Sequence, residues 1–313
     1  MIASLPTLAR PSLRPERARS RTRTLGRLAM GAVLFVASAV VLRGVRLSDA
    51  RDVLSRSSLW WLGAAVVAAT LTTVASGVSL LAVTPRPGDV RSSVAAQFAA
   101  TFASRLAPGG VGGVAVRFRF LIRNGLDRSS AAAGLATMAA AGLIVRSLAF
   151  AAISPWLPTG VAGVPHRRFL VGGAVVVLGG IGGLGFVVRH HRSTAAPSVP
   201  VRQRRVGLLF SGSIGVVAGH VAALWCCVAA LHIAVSPTVV VAAYLASAAV
   251  GALSPLPGGL GALEIALAAG LSAGGVGRPE ALACVVLYRT VSFWLPVLPG
   301  ALSFWSLRRR AFL

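Results

Sequence analysis

Apolar runs alternate with short polar connections along almost the whole chain. Crossing about 30 Å of hydrocarbon takes about 20 helical residues. The runs 59–83, 130–156, 169–188, 206–233 and 281–305 meet that length, and 28–42, 238–253 and 259–271 are shorter. Together they predict an all-α, polytopic membrane helix bundle of about eight spans. Trp60 and Trp61 stand at the start of the second run, where an interfacial aromatic belt belongs. Residues 43–58 mix Arg43, Arg46, Asp49, Arg51, Asp52 and Arg56 with Val45, Leu47, Val53 and Leu54, the pattern of an amphipathic helix lying in the interface. Within 169–188, Gly179 and Gly183 are spaced for close helix approach.

Two glycine-rich breaks interrupt this pattern in opposite halves. The first runs from Arg105 through Pro108, Gly109, Gly110, Gly112 and Gly113 to Arg117; the second runs from Ser254 through Pro255, Pro257, Gly258, Gly259 and Gly261 to Glu264. Proline removes a backbone donor and glycine weakens a helix, so both stretches predict interrupted helices. Backbone groups freed at membrane depth must be satisfied inside protein or by a wet cavity. Breaks at corresponding positions of two halves point to a transporter-type site and a candidate two-half pseudo-repeat. The plainer alternative is that both are interfacial turns.

Charge sets the expected topology. The net charge is +24, and all of the basic content is Arg, as the chain has no Lys. Charged residues make up 12% of the chain against about 25% in soluble domains, and mean hydropathy is +0.79. The arginines flank apolar runs, which fits the positive-inside rule rather than nucleic-acid binding. Residues 1–27 read as a disordered basic cytoplasmic tail. Residues 28–307 read as one transmembrane domain, with halves 28–188 and 206–307 joined by a cytoplasmic connection at 189–205, and 308–313 as a cytoplasmic end. Both termini are thus expected inside the inner (plasma) membrane of a bacterial cell. That placement leaves 92–116 with no net crossing, so it is expected to enter from the cytoplasmic side and turn back near its break. The second break is a candidate for a partly re-entrant segment.

Few residues could carry chemistry. Glu264 is the one acidic residue inside an apolar run, and Arg289 and Arg117 are its expected partners. Arg105 and Arg117 bracket the first break, and guanidinium groups suit a phosphodiester. Arg146, near the middle of a span, needs a partner or a wet cavity. His220 reads as an interhelical hydrogen bonder. Cys226, Cys227 and Cys284 read as small hydrophobes, and no residues complete a metal set. The chain lacks a phosphate loop, a nucleophile elbow and a carboxylate pair. No enzymatic activity and no cofactor are expected.

The stretch Pro255 to Glu264, with Tyr288-Arg289 and Phe293-Trp294-Leu295-Pro296 to Gly300, resembles the second-half signature of the lysylphosphatidylglycerol synthase transmembrane region, or flippase-like, family. Pro108-Gly109-Gly110 through Arg117 to Gly125 resembles its first half. The resemblance implies a polytopic bundle that moves a lipid or lipid-linked molecule between leaflets. Larger relatives carry a soluble aminoacyltransferase domain. None follows the last span here, so synthase activity is not expected. The family pattern leads us to expect an acidic residue beside Arg146, and this sequence has none there.

The expected function is translocation of an anionic phospholipid or a polyprenyl-phosphate-linked lipid. Arg105, Arg117 and Arg289 would hold phosphate, and Glu264 would balance a cation or carry a proton. Pro108, Gly109, Gly110, Pro257, Gly258, Gly259, Gly261 and Tyr288 complete the candidate substrate site. The alternative is a membrane scaffold for a cell-envelope glycosyltransferase or lipid-modifying system. The partners expected are membrane lipids and no nucleic acid.

Overall fold

A computed structural model describes residues 57–85, 90–107, 110–156, 203–254 and 256–309. The tail 1–27, the runs 28–42 and 169–188, most of the 43–58 and 189–205 segments, Pro108, Gly109 and the last four residues lie outside them. The described residues are helical throughout, with no strand. The helices are α1 (Leu59–Ala82), α2 (Val90–Leu106), α3 (Val111–Arg123), α4 (Arg128–Ile153), α5 (Gln203–Ala230), α6 (Pro237–Leu253), α7 (Ala262–Ala273), α8 (Arg278–Arg289) and α9 (Val297–Arg309).

The polarity of the bundle is inside-out. Leu59, Ile265, Leu298 and Leu302 are among the most exposed side chains, whereas Gln97, Ser247, Glu264 and Arg289 are buried. That distribution is stable only where the outer surface meets hydrocarbon. Among the described residues, four helical stretches are long and apolar enough to cross a membrane: Leu59–Ala82, Arg128–Trp156, Arg205–Ala230 and Arg278–Arg309.

α1 and α5 form the spine and run antiparallel along their full length. Ser58 N–H donates to Ala230 O at one end (3.1 Å). Arg205 donates to Thr84 O (2.9 Å) and Pro85 O (2.8 Å) at the other. Between them Gly215 lies against Ala75 and Gly219 against Thr72. Side chains at these two glycines would force the helices apart.

Each spine helix is followed by a helical hairpin and then by a long helix. In the first hairpin α3 folds back on α2. Gly113 of α3 then lies against Ala100 and Ser104 of α2, and Arg117 Nε donates to Gln97 Oε1 (2.7 Å). In the second the chain reverses at 254–261. Gly251 of α6 faces Leu263 of α7, and Gly270 faces Ala243. The expected runs 238–253 and 259–271 are thus two apolar helices packed on each other. α6 and α7 have 17 and 12 residues, or about 25 and 18 Å of helix. They fold against each other, and both are shorter than the two long stretches after residue 204, Arg205–Ala230 and Arg278–Arg309.

The two hairpins return into the next helix by the same turn. Leu126 N–H donates to Leu121 O and Val276 N–H to Leu271 O, both at 3.2 Å. Gly125 and Gly275 occupy the preceding left-handed position, at φ 97° and 92°. Leu126 and Val276, each buried, fix the turn on the core. The long helix after the first hairpin is α4, capped by Asp127. The one after the second is α8–α9, joined through a π-helical turn at Thr290–Trp294.

Candidate arginine-lined cavity

The π turn has a covalent cause. Pro296 has no N–H to give to the carbonyl of Ser292, and its ring crowds that carbonyl. Leu295 N–H instead donates to Thr290 O (2.9 Å). The freed Ser292 carbonyl accepts from Arg105 Nη2 (3.0 Å), reaching across from the tip of the first hairpin. A break in one helix thereby anchors a guanidinium from another.

Phe293 is the meeting point of the two tips. The guanidinium carbons of Arg105 and Arg289 each stand 4.8 Å from its ring centroid, a cation–π distance. Gly258, at the second tip, lies against the same ring. Arg289 makes an ion pair with Glu264 through Nε and donates from Nη2 to Gly258 O (3.0 Å). Glu264 is therefore neutralised by Arg289, from α8, and ties α7 to the second tip. Its second oxygen is buried without a partner.

On the spine side of the tips lies a cavity of about 570 Å³. Arg105 of α2, Arg117 of α3, Arg146 of α4 and His220 of α5 line it. Thr72, Ser76 and Ser79 of α1, Ser213 of α5 and Ser292 of the π turn add hydroxyls. No acidic residue is among the described residues of its wall. Arg117 is steered by a relay: Gln97 accepts from its Nε and in turn donates to Ser76 O (3.0 Å) and to Ser76 Oγ. Arg105 Nη1 and Arg146 Nε are buried with no hydrogen-bond partner. Those two nitrogens are shielded from the cavity, so what the wall offers a ligand is the positive charge of Arg105, Arg117 and Arg146, with no acid among its described residues.

The sequence-derived residues divide into two groups. Arg105 and Arg117 face the cavity. Glu264, Arg289, Gly258, Gly259 and Gly261 form the second tip and its clamp, with Pro257 opening that tip's 3₁₀ turn. None of these is on the cavity wall. Gly110 is the residue before α3 at the first tip, at φ 71°, and Pro108 and Gly109 lie outside the described residues. Tyr288 reaches the cavity indirectly: its hydroxyl is hydrogen-bonded to His220 Nδ1 (2.9 Å), and the His220 ring stacks on Tyr244 (5.5 Å between centroids). Arg146, Gln97 and Phe293 belong to the site by geometry. Arg146 carried a readable signal, a charge in mid-span with no acidic neighbour. Phe293 stood in the second-half stretch that carries the family resemblance, without a role, and Gln97 carried no signal.

No group of three or more metal-ligating side chains occurs among the described residues. In comparison with known families, residues 25–300 match the lysylphosphatidylglycerol synthase TM region. No curated protein matches the chain.

Proposed function

The chain belongs to the lysylphosphatidylglycerol synthase TM region family, and on that premise we propose that this multi-pass membrane protein translocates an anionic lipid between leaflets. The observation that carries this reading is the cavity with Arg105, Arg117 and Arg146 on its wall and no carboxylate among that wall's described residues. Phosphate is the lipid group that a set of guanidiniums binds best.

In this reading the two hairpins are re-entrant segments that enter from opposite faces of the inner membrane, and the two halves are inverted repeats about the α1–α5 spine. Thr84, Arg205 and the arginines at 119–128 then lie on the cytoplasmic side, with both chain termini. The head group sits between the tips near the middle of the spine, which is where repeat-built transporters bind their cargo. Its acyl or prenyl chains stay in hydrocarbon. The Glu264–Arg289 clamp holds the second tip closed, and exchange of tip contacts at Phe293 opens one side at a time.

The test is head-group accessibility of fluorescent phosphatidylglycerol in proteoliposomes. Wild type should expose inner-leaflet lipid to an external quencher faster than protein-free vesicles. Arg146→Gln and Arg117→Gln should each slow this about tenfold, as loss of a charged hydrogen bond predicts. Equal rates in wild type and both variants would remove the cavity from the function.

A further inference from the structure

The geometry points to a more specific cargo: a lipid-linked diphosphate, with head groups that carry an amine disfavoured. The inference rests on the reading of this cavity as the head-group site.

The first argument is charge balance. A phosphodiester brings one negative charge, and three guanidiniums line one cavity of about 570 Å³. With a single phosphate bound, two cationic charges would remain uncompensated at membrane depth, where that is expensive. The described acids cannot compensate them. Glu264 is committed to Arg289, and Asp127 and Glu280 are exposed at helix starts. Two linked phosphates carry two to three negative charges, depending on whether the outer one is esterified, and match the site.

The second argument is donor geometry. Each guanidinium has five N–H donors. Arg105 uses one on Ser292 O and Arg117 uses one on Gln97. The three arginines reach the cavity wall from α2, α3 and α4. A single phosphate gathers its acceptors at one point, whereas two phosphates in series spread them along a line toward arginines on three helices. An amine brings donors and positive charge into a wall that already supplies both in excess.

The rest of the wall fits such a ligand. Thr72 donates its hydroxyl back to Ala69 O (2.6 Å) and Ser213 to Leu209 O (2.9 Å). Those hydroxyls therefore offer acceptor lone pairs to the cavity, complementary to hydroxyls on a head group. Val114, Leu135, Met138 and Val217 supply an apolar side for the first carbons of a chain. The volume lies in the range of about 300–1,000 Å³ that takes a small head group.

The experiment compares ligands with a common tail on the detergent-purified full chain, by competition and by thermal shift. The probes are farnesyl diphosphate, farnesyl monophosphate, inorganic diphosphate, phosphatidylglycerol and its lysine ester. Farnesyl diphosphate should bind about tenfold or more tighter than the monophosphate, and Arg146→Gln should collapse that gap. Phosphatidylglycerol should outcompete its lysine ester. Arg146→Lys, which keeps the charge and loses the fork, should retain part of the gap. Each variant must elute as the same monodisperse species as wild type. Equal binding of mono- and diphosphate, or a gap untouched by Arg146→Gln, would overturn the inference. Inorganic diphosphate binding as well as the farnesyl ester would overturn its lipid-linked half. The two readings fail separately. A diphosphate preference without translocation sinks transport alone, and translocation of phosphatidylglycerol without a diphosphate preference sinks this inference alone.

Discussion

The two hairpins leave by the same turn and differ in chemistry. Both pass into the next helix with matching hydrogen bonds at Leu126 and Val276. The first hairpin contributes Arg105 and Arg117, which meet no acid and face a cavity. The second contributes Glu264, which is matched by Arg289 and buried. Two hairpins with a common closing turn thus serve two ends. The first tip presents unbalanced charge to a cavity, and the second balances its charge and holds a shape. If that contrast is right, substitutions at the second tip should damage stability, and substitutions of cavity arginines should damage binding with little loss of stability.

The largest effect belongs to the clamp. Removing one member of a buried ion pair strands the other, typically at a cost of 3–5 kcal/mol. Glu264→Gln and Arg289→Gln should each lower unfolding stability in detergent by about that amount. The double variant should be less damaged than the sum of the two, because no lone charge remains. Arg289→Gln should be the worse single change, since it also releases Gly258 O. Arg146→Gln serves as the contrast: Arg146 has an unmet donor in place of a carboxylate partner, so its loss should leave stability within about 1 kcal/mol. Stability losses of the same size at Glu264 and Arg146 would erase the distinction between the tips.

A smaller effect separates the tip glycines. Gly110 and Gly258 both have left-handed φ, 71° and 64°. A methyl at Gly110 meets nothing within 4 Å, whereas one at Gly258 would run into the Phe293 ring. Gly110→Ala should cost about 1–2 kcal/mol from the backbone alone. Gly258→Ala adds displacement of Phe293 and should reach on the order of 2–4 kcal/mol. Phe293 also carries the cation–π contact of Arg105, so only Gly258→Ala should weaken diphosphate binding at the first tip. Thermal unfolding with and without farnesyl diphosphate reads both.

Much of this was legible in the sequence because lipid imposes long apolar runs and punishes free backbone. The helical class, the long helices at 59–82, 128–156 and 205–230, and the reversal near Gly110 follow from run length and Pro-Gly chemistry. The break between α6 and α7 was legible from Pro255 to Gly261, but how closely the two helices pack was not. An apolar run of 16 residues reads alike as a short span and as a hairpin arm, and the difference lies in Gly270 meeting Ala243. Arg289 was among the partners expected for Glu264, but spacing along the chain could not rank it above Arg117. The choice is made by α3 turning Arg117 toward Gln97. The cavity was hidden for the same reason. It is assembled from five helices and the π turn; Arg105 and Arg117 at the first break and Arg146 in mid-span each pointed to a site, but spacing could not show that they share one wall.

The smallest prediction concerns the helix starts that follow the two hairpins. Asp127 caps α4, accepting from Ser129 N (3.0 Å) and Ser130 N (3.2 Å). Gly277 occupies the matching position before α8, with extended backbone (φ −57°, ψ 145°) and no side chain to cap with. The hydrogen bonds from Ser129 first and Ser130 second hold the Asp127 carboxyl well below its ordinary value of 3.8. A depressed carboxyl stabilises the fold above its ordinary range and loses that contribution as pH falls. Asp127→Ala should therefore lower stability modestly at neutral pH, and the difference from wild type should shrink below about pH 4. The converse change is Gly277→Ser. Glu280 stands three residues on, and its flexible carboxylate fills the space a Cβ at Gly277 would take, so a serine there completes a capping box once that carboxylate swings aside to accept from the residue 277 N–H. It should add a few tenths of a kcal/mol, the usual margin of serine over glycine at a cap. If Gly277→Ser destabilises instead, the two helix starts are not equivalent, and the likeness of the hairpins ends at Val276.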